Sequence, residues 1–208
     1  MSSMRSGRRG LLSLALLVPF APLRAQGTDP RQAIAALDAA LLAGMRMGKA
    51  TAFQQRFDQL AVVIDRVFDL DTILAVSVGL RWGSMDDTAR RSLSGVFRTF
   101  TIASYAANFD KDDGEHFEIV PQVRTSGADQ IVQTKLIAET GEPIRMDYVM
   151  RAGPGGWRVV DVLLDGSISR VAVQRSDFRA MLASGDSAPL VNSLKRKVGE
   201  LSGGAMRP

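Results

Sequence analysis

Hydrophobic side chains in the N-terminal half of the chain recur every three or four positions, which is the spacing of amphipathic helices. This spacing predicts four helices, over residues 31–47, 49–67, 70–80 and about 84–108. Pro30 suits the first position of a helix, and Ser84 suits the N-cap that precedes the acidic first turn of the fourth. Segment 70–80 is apolar nearly all round, so we expect it to be buried or to line an apolar cavity.

After the polar turn at residues 110–114, the hydrophobic period changes from about 3.6 to two, which is typical of half-buried strands. The alternation predicts strands around residues 117–123, 129–139, 144–150 and 157–164. Helical spacing returns over residues 169–181 and 189–201. Sequential strands with short connections form a meander, and one of its faces must be covered. We therefore predict an α+β fold, in which a curved antiparallel four-stranded meander sheet packs against N- and C-terminal helices and encloses an apolar pocket.

The first 25 residues have the pattern of a cleaved export signal. Arg5, Arg8 and Arg9 precede an apolar run over residues 11–23, and we expect cleavage after Ala25. The run is short and contains two prolines, so an uncleaved anchor is the weaker interpretation. The paired arginines also resemble a twin-arginine signal, which leaves the export route open. We predict one domain over residues 26–201 and a flexible tail over 202–208.

The basic balance of the whole chain comes from this signal. Residues 1–25 contain four Arg and no acidic residue, which leaves 22 basic and 22 acidic residues in the mature part. A net charge near zero gives no argument for a nucleic-acid partner or a polybasic membrane anchor. The chain has no cysteine, which excludes disulfides, thiolate metal sites and cysteine nucleophiles.

Residues for catalysis or metal binding are sparse. His116 is the one histidine of the chain, and we interpret it as a strand residue rather than a catalytic base. No metal-binding motif is present in the sequence, and we interpret the acidic run 110–115 as a solvated turn. The glycines of 153–156 lead into a strand, whereas a phosphate loop leads into a helix.

Three further residues could form an acid–base group in a cone-shaped domain: Asp147, Tyr148 and Asp161. We expect the two aspartates instead to lie on the outer sheet face or to pair with Arg145, Arg151 or Arg158. This interpretation argues against an enzyme.

Two stretches resemble the MlaC / toluene-tolerance family of periplasmic phospholipid-binding proteins. The first stretch consists of Val67-Phe68-Asp69-Leu70, Val78-Gly79-Leu80-Arg81-Trp82, Phe97, Phe100 and Tyr105. The second consists of Trp157-Arg158-Val159-Val160-Asp161-Val162, Asp165-Gly166-Ser167-Ile168-Ser169, Arg175-Ser176-Asp177-Phe178 and Leu182. Residues 167–175 lack the Tyr that phospholipid carriers of the family have before the Arg, and look more like the hopanoid-associated HpnM branch.

The resemblance implies a soluble periplasmic carrier that shuttles a membrane lipid, either phospholipid or hopanoid, without a cofactor or metal. Implied partners are an inner-membrane ABC transporter complex and an outer-membrane lipoprotein complex or exporter, with transient contact to a membrane surface. Withdrawing a tail of about sixteen carbons costs roughly 12 kcal/mol at about 0.8 kcal/mol per methylene, so such a carrier needs a continuous apolar cavity.

Large apolar and aromatic side chains on the predicted short helix, long helix and strands are the candidates for this lining. They are Leu74, Val78, Trp82, Phe97, Phe100, Tyr105, Met146, Tyr148, Met150, Val160 and Val162. Met146 and Met150 suit an adaptable wall, because the unbranched methionine side chain repacks around different ligands.

Two other functions remain open at this point. One is a small cone-fold isomerase or hydrolase that acts on an apolar substrate, with Asp147 or Asp161 as base. The other is a periplasmic adaptor that holds no ligand and binds protein through an exposed apolar patch. Co-purified lipid favours the carrier, a raised carboxylate pKa in a closed pocket favours the enzyme, and the absence of a cavity favours the adaptor.

Overall fold

The computed structural model describes residues 29–207, so the predicted export signal and its cleavage point lie outside the described part of the chain. The helices are α1 Pro30–Met47, α2 Phe53–Val67, α3 Leu70–Val78, α4 Arg81–Ser84, α5 Asp87–Asn108, α6 Arg170–Met181 and α7 Ala188–Leu201. The strands are β1 His116–Ile119, β2 Arg124–Ser126, β3 Asp129–Ile137, β4 Ile144–Gly153, β5 Gly156–Leu164 and β6 Ile168–Ser169. The predicted α+β class is confirmed.

Local capping sets where the helices begin and end. The Asp29 carboxylate accepts a hydrogen bond from the Arg31 N–H at 3.0 Å, directly before Pro30. Asp86, and not the predicted Ser84, caps α5 by accepting from the Ala89 N–H at 2.8 Å. The predicted helix over 70–80 ends earlier, because Gly79 adopts a φ of +70° that is easy for glycine alone.

The sheet has six strands instead of the predicted four, and all its ladders are antiparallel. Its order is β1-β3-β4-β5-β6, with β2 also paired to β3. The single strand predicted over 117–123 is wrong. Strand β1 ends at Ile119, shortly before Pro121, which has no N–H to donate to a ladder, and β2 begins only at Arg124, after the predicted span. The sixth strand is the two-residue β6 beside β5.

A β-bulge bends the sheet between β4 and β5. Val149 is paired with Asp161 and Met150 with Val159, so Val160 has no cross-strand partner. A bulge of this kind increases the local twist and redirects the side chains on either side of it. Next to the bulge, the loop after α2 joins the sheet, where Asp69 N–H donates to the Val159 carbonyl at 2.9 Å.

The core lies between the inner face of the sheet and the helices. Helix α1 packs on β1, β3 and β5, and α5 contacts α2, α3 and α7. Buried Arg56 links α2 to α5 through a hydrogen bond to the Ala106 carbonyl. No helix within residues 29–207 combines the length and hydropathy needed to cross a membrane.

The segment after α7 turns back on the domain. The Met206 N–H donates to Ser202 Oγ at 3.0 Å, and the Met206 side chain packs against the core. The flexibility of residues 202–208 stays a prediction.

Candidate functional site

A cavity of about 290 Å³ lies between the inner face of the sheet and helices α3, α5 and α6. Its aliphatic wall comes from both layers. The aliphatic residues and the methionine of the wall are Leu70, Ile73, Met146, Val162, Leu164 and Val171. Ile73 and Leu70 are three residues apart on α3, and therefore face the cavity together.

Aromatic rings form a second part of the wall. The cavity is bordered by Phe68, Phe97, Phe100, Tyr105 and Phe109. Three of these rings form a continuous row: the Phe68 and Tyr105 centroids are 5.5 Å apart, and the Tyr105 and Phe109 centroids are 5.9 Å apart. Phe117 of β1 extends the row behind Phe109 at 6.3 Å. Rings in contact at these distances give a large and rigid apolar surface.

Polar residues complete the wall. They are Thr101, Ser104, Asn108, Asp161, Arg170 and Gln174. The Asp161 carboxylate accepts hydrogen bonds from the Ser169 hydroxyl and from the Val171 N–H, so it fixes the start of α6. Gln174 accepts from Ser77 Oγ at 3.1 Å, which joins α6 to α3. Arg170 is exposed and therefore places a cation at the rim.

Two surface grooves adjoin the cavity. One, of about 420 Å³, lies between α5 and α7 beside Lys197 and shares Phe100 and Ser104 with the cavity. The other, of about 340 Å³, lies beside Arg98 and Arg158 and shares Phe68 and Leu70. Phe100 and Phe68 thus separate the cavity from the two grooves.

The structure brings five of the eleven predicted lining residues to this wall: Phe97, Phe100, Tyr105, Met146 and Val162. Because no ligand is present, lipid contact stays a prediction for all eleven.

The other six residues do not line the cavity, and this placement differs from the one expected. Leu74 and Val78 are buried on α3 but do not border the cavity, and Trp82 lies on α4 against the Arg90 guanidinium. Tyr148 and Met150 are on the inner sheet face beyond Met146. Val160 is the unpaired residue of the bulge.

None of the wall residues that α3 and α6 supply was predicted from the sequence. Segment 70–80 is apolar on nearly all sides, so its spacing did not distinguish the face of Ile73 from that of Leu74. Arg170 and Gln174 are polar, and the lining was predicted from apolar and aromatic residues alone, so neither was included. Phe68 belongs to the quoted family stretch, which was the available signal for its importance.

The two aspartates considered as bases have different surroundings. Asp147 lies on the outer sheet face, where Arg145 donates to it at 2.7 and 2.9 Å and Arg124 at 2.9 Å. Burial alone would raise the pKa of Asp147, but the hydrogen bonds of Arg145 and Gln133 and the arginine charges hold it below its ordinary value. Asp161, which we expected on the outer face or paired with Arg, borders the cavity, where its carboxylate accepts from Ser169 Oγ, the N-cap of α6, and from the Val171 N–H.

The remaining polar candidates have ordinary surroundings. His116 is exposed and 3.8 Å from Glu118. The acidic turn is interleaved with cations, since Lys49 is 3.6 Å from Asp110 and Arg46 is 3.8 Å from Asp112. Among residues 29–207, no three metal-ligating side chains converge on one point.

Comparison with known proteins identifies the family of this chain. The sequence model of the family described as MlaC protein matches residues 36–196, which include the whole cavity wall. No curated protein matches the chain by sequence. Among solved structures, the chain is similar to the phospholipid-binding protein from Ralstonia solanacearum in complex with a phospholipid. The two are 19% identical with a TM-score of 0.73, over 84% of this chain and 99% of that chain. Because the family match spans well over half of its length, this chain belongs to the MlaC protein family.

Proposed function

We propose that this chain is a lipid carrier that holds the apolar part of a phospholipid in the cavity between the sheet and helices α3, α5 and α6. The observation that carries the proposal is an aromatic and aliphatic cavity in a fold that a phospholipid-bound protein also has. Family and neighbour point to a binding protein rather than to an enzyme. Asp147 supports the same conclusion, since arginines on the outer sheet face neutralise it.

The cavity is too small for a whole phospholipid, so the carrier needs a loading step in which the cavity enlarges. A volume of about 290 Å³ is at the lower end of the range of roughly 300–1,000 Å³ for small-ligand pockets, whereas a phospholipid has two long chains. Loading therefore requires the wall to open. Separation of α3 from α6 would admit the ligand, and displacement of Phe100 or Phe68 would then join the cavity to a neighbouring groove that takes the second chain.

The rim suits a phosphate group. Arg170 is exposed at the cavity edge, and a guanidinium binds phosphate oxygens through paired hydrogen bonds. In this arrangement the head group stays in water while the tails are covered.

The finer parts of the proposal come from sequence. The export signal over residues 1–25 supports a periplasmic location, where a carrier crosses between an inner-membrane ABC transporter complex and an outer-membrane lipoprotein complex or exporter. Hopanoid, suggested by residues 167–175, is the alternative ligand.

Transfer of a fluorescent phospholipid between vesicles tests the carrier. The mature protein is added to donor vesicles that contain self-quenched lipid and to unlabelled acceptors, and the rate of dequenching is followed. We expect the wild type to transfer lipid faster than vesicles do without protein. Val171→Trp should transfer lipid much more slowly than the wild type, because Val171 is buried in the cavity wall. The matched control is Val173→Trp, two residues along α6, where the side chain is 39% exposed.

Thermal denaturation establishes that both variants fold. Dequenching by the wild type no faster than without protein contradicts the carrier, and equal transfer by the folded Val171→Trp variant contradicts this cavity as the site.

A further inference from the structure

The corner between α3 and α4, residues 79–81, presents an apolar side chain to water. Leu80 is 95% exposed, which makes it the most exposed large apolar side chain of residues 29–207. Val76, four residues earlier in the last turn of α3, is 46% exposed. A single exposed apolar residue is common on protein surfaces. The charges around this corner are what distinguish it.

Three exposed arginines surround the corner. Arg81 belongs to it, and its guanidinium donates to the Ala183 carbonyl at 3.3 Å. From α6, the Arg175 guanidinium lies against Gly79, 3.3–3.6 Å from the point that a Cβ there would occupy. Arg179 is one turn after Arg175 and therefore on the same face of α6. Within residues 29–207, none of the three arginines forms an ion pair.

The acidic residues of the neighbouring segments have other partners or another direction. Asp86 and Asp186 each accept a backbone N–H at the start of the helix that follows them. Asp87 lies 3.6 Å from the Arg90 guanidinium. Asp177 is on α6 but two residues from either arginine of that helix, so it points away from them. The corner therefore combines an exposed leucine with positive charge that has no counter-ion in the chain.

We propose that this corner is the surface through which the carrier docks on an anionic membrane. Leu80 enters the head-group layer, and Arg81, Arg175 and Arg179 contact lipid phosphates. The proposal rests on the lipid-carrier function and adds the place at which the carrier meets the bilayer. Cations near an anionic bilayer are attracted to it, and an apolar side chain between them gains by leaving water. One leucine and three arginines give a weak and reversible contact, which a carrier that must leave again requires.

The shape of the corner favours a bilayer over a protein partner. A stable protein interface buries roughly 800 Å² on each partner around an apolar core. The corner offers two exposed apolar side chains, Val76 and Leu80, among long and flexible arginines. Such a small apolar tip is too little for the core of a protein interface, whereas shallow entry into the head-group layer needs no more.

The corner also lies next to the part of the cavity wall that must open. Ser77, three residues before Leu80, bonds to Gln174, which directly precedes Arg175. Helices α3 and α6, which this bond joins, both border the cavity. Docking through the corner therefore brings the α3–α6 contact to the membrane surface. A wall that separates there admits the lipid tails without exposing them to water.

Co-sedimentation with vesicles tests the proposal. The mature protein is mixed with vesicles of phosphatidylcholine alone, or of an equimolar mixture of phosphatidylcholine and phosphatidylglycerol, at low and at high salt. We expect the wild type to bind the anionic vesicles more tightly and to lose most of this preference at high salt. Leu80→Ser should weaken binding to the anionic vesicles on the order of tenfold. Arg81→Gln and Arg175→Gln should each weaken it about fivefold.

A matched pair of controls lies on α2. Val62 is 71% exposed, and Arg66 is exposed one turn later on the same helix. Val62→Ser and Arg66→Gln remove the same kinds of group from another surface, so they should keep wild-type binding. Thermal denaturation shows that each variant is folded. Leu80→Ser removes almost no packing, so it remains a valid test even where an arginine variant is destabilised.

Binding of a fluorescent fatty acid without vesicles separates this proposal from the carrier function, and Leu80→Ser should retain it. Equal wild-type binding to both kinds of vesicle overturns the docking surface and leaves the carrier intact. So does equal binding by Leu80→Ser and the wild type, or an equal loss in Val62→Ser. Loss of fatty-acid binding in Leu80→Ser also overturns it, because Leu80 would then act on the cavity. A wild type that binds anionic vesicles through Leu80 but binds no fatty acid contradicts the carrier and supports the docking surface.

Discussion

At the scale of single residues, Asp38 is the most unusual group of the molecule. It lies on α1 among core side chains, and burial raises the pKa of its carboxyl to about 7. An aspartate in water has a pKa of about 4, so the folded chain keeps a proton on Asp38 over a pH range in which the unfolded chain has released it. Asp38 therefore makes the free energy of unfolding fall as pH rises from about 4 to about 7.

Asp38→Leu should remove this pH dependence. We expect the variant to exceed the wild type in free energy of unfolding by on the order of 2 kcal/mol at pH 8, since a buried charge is replaced by an apolar side chain. The gain should shrink as pH approaches about 4, where the wild-type carboxyl is protonated in both states. Urea denaturation across this range measures it. Asp58→Leu, on the exposed face of α2, is the control and should show no such trend.

Arg170 is the residue on which head-group binding depends in this account. Arg170→Ala should weaken binding of a phospholipid by about three- to tenfold, because a charged hydrogen bond at an exposed rim is partly screened by water. Binding of a fatty alcohol, which has no phosphate, should change much less. Arg179→Ala, in the last turn of the same helix and away from the cavity, is the control. Equal losses of affinity for both ligands would show that Arg170 stabilises the cavity wall rather than binding the phosphate.

At the scale of elements, the helix pair α3 and α6 is the movable wall in this account. Both helices border the cavity, and Ser77 and Gln174 join them by a single side-chain hydrogen bond. The chain has no cysteine, so a pair introduced as Ser77→Cys and Gln174→Cys can be linked selectively by a short thiol cross-linker.

Linking the two helices before lipid is added should slow loading severalfold, because the wall must separate to admit a phospholipid. The same variant with its thiols left unlinked should load like the wild type. Unchanged loading in the linked protein would mean that lipid enters elsewhere, for example from the grooves beside Phe100 or Phe68.

The sequence predicted the elements better than it predicted their faces. Periodicity placed the three long strands β3, β4 and β5 and six of the seven helices near their observed positions, because these elements are amphipathic or uniformly apolar. Pro121 divides a strand for a reason that the sequence contains, the missing N–H. The bulge at Val160 arises only when β4 and β5 pair, so alternation along one strand could not reveal it. Which side of α3 meets the cavity depends on α6, which follows almost a hundred residues later.

At the scale of the whole molecule, the predicted resemblance to the MlaC family is confirmed, whereas the HpnM branch stays a prediction. The existence of a cavity could be predicted, since a carrier of apolar ligands needs one. Its position was not, because it is set by how three helices close over a bent sheet. Polar residues such as Arg170 and Thr101 belong to its wall for the same reason, although hydrophobic pattern alone assigns them to the surface or the core.

Native mass spectrometry of the 208-residue chain expressed in a bacterial host, followed by solvent extraction and lipid analysis, shows whether the protein carries a lipid. A lipid carrier should leave the membranes with one phospholipid or hopanoid per chain, with greatly reduced occupancy in Val171→Trp and wild-type occupancy in Val173→Trp. A protein that leaves lipid-rich membranes with the mass of its polypeptide alone would contradict the account.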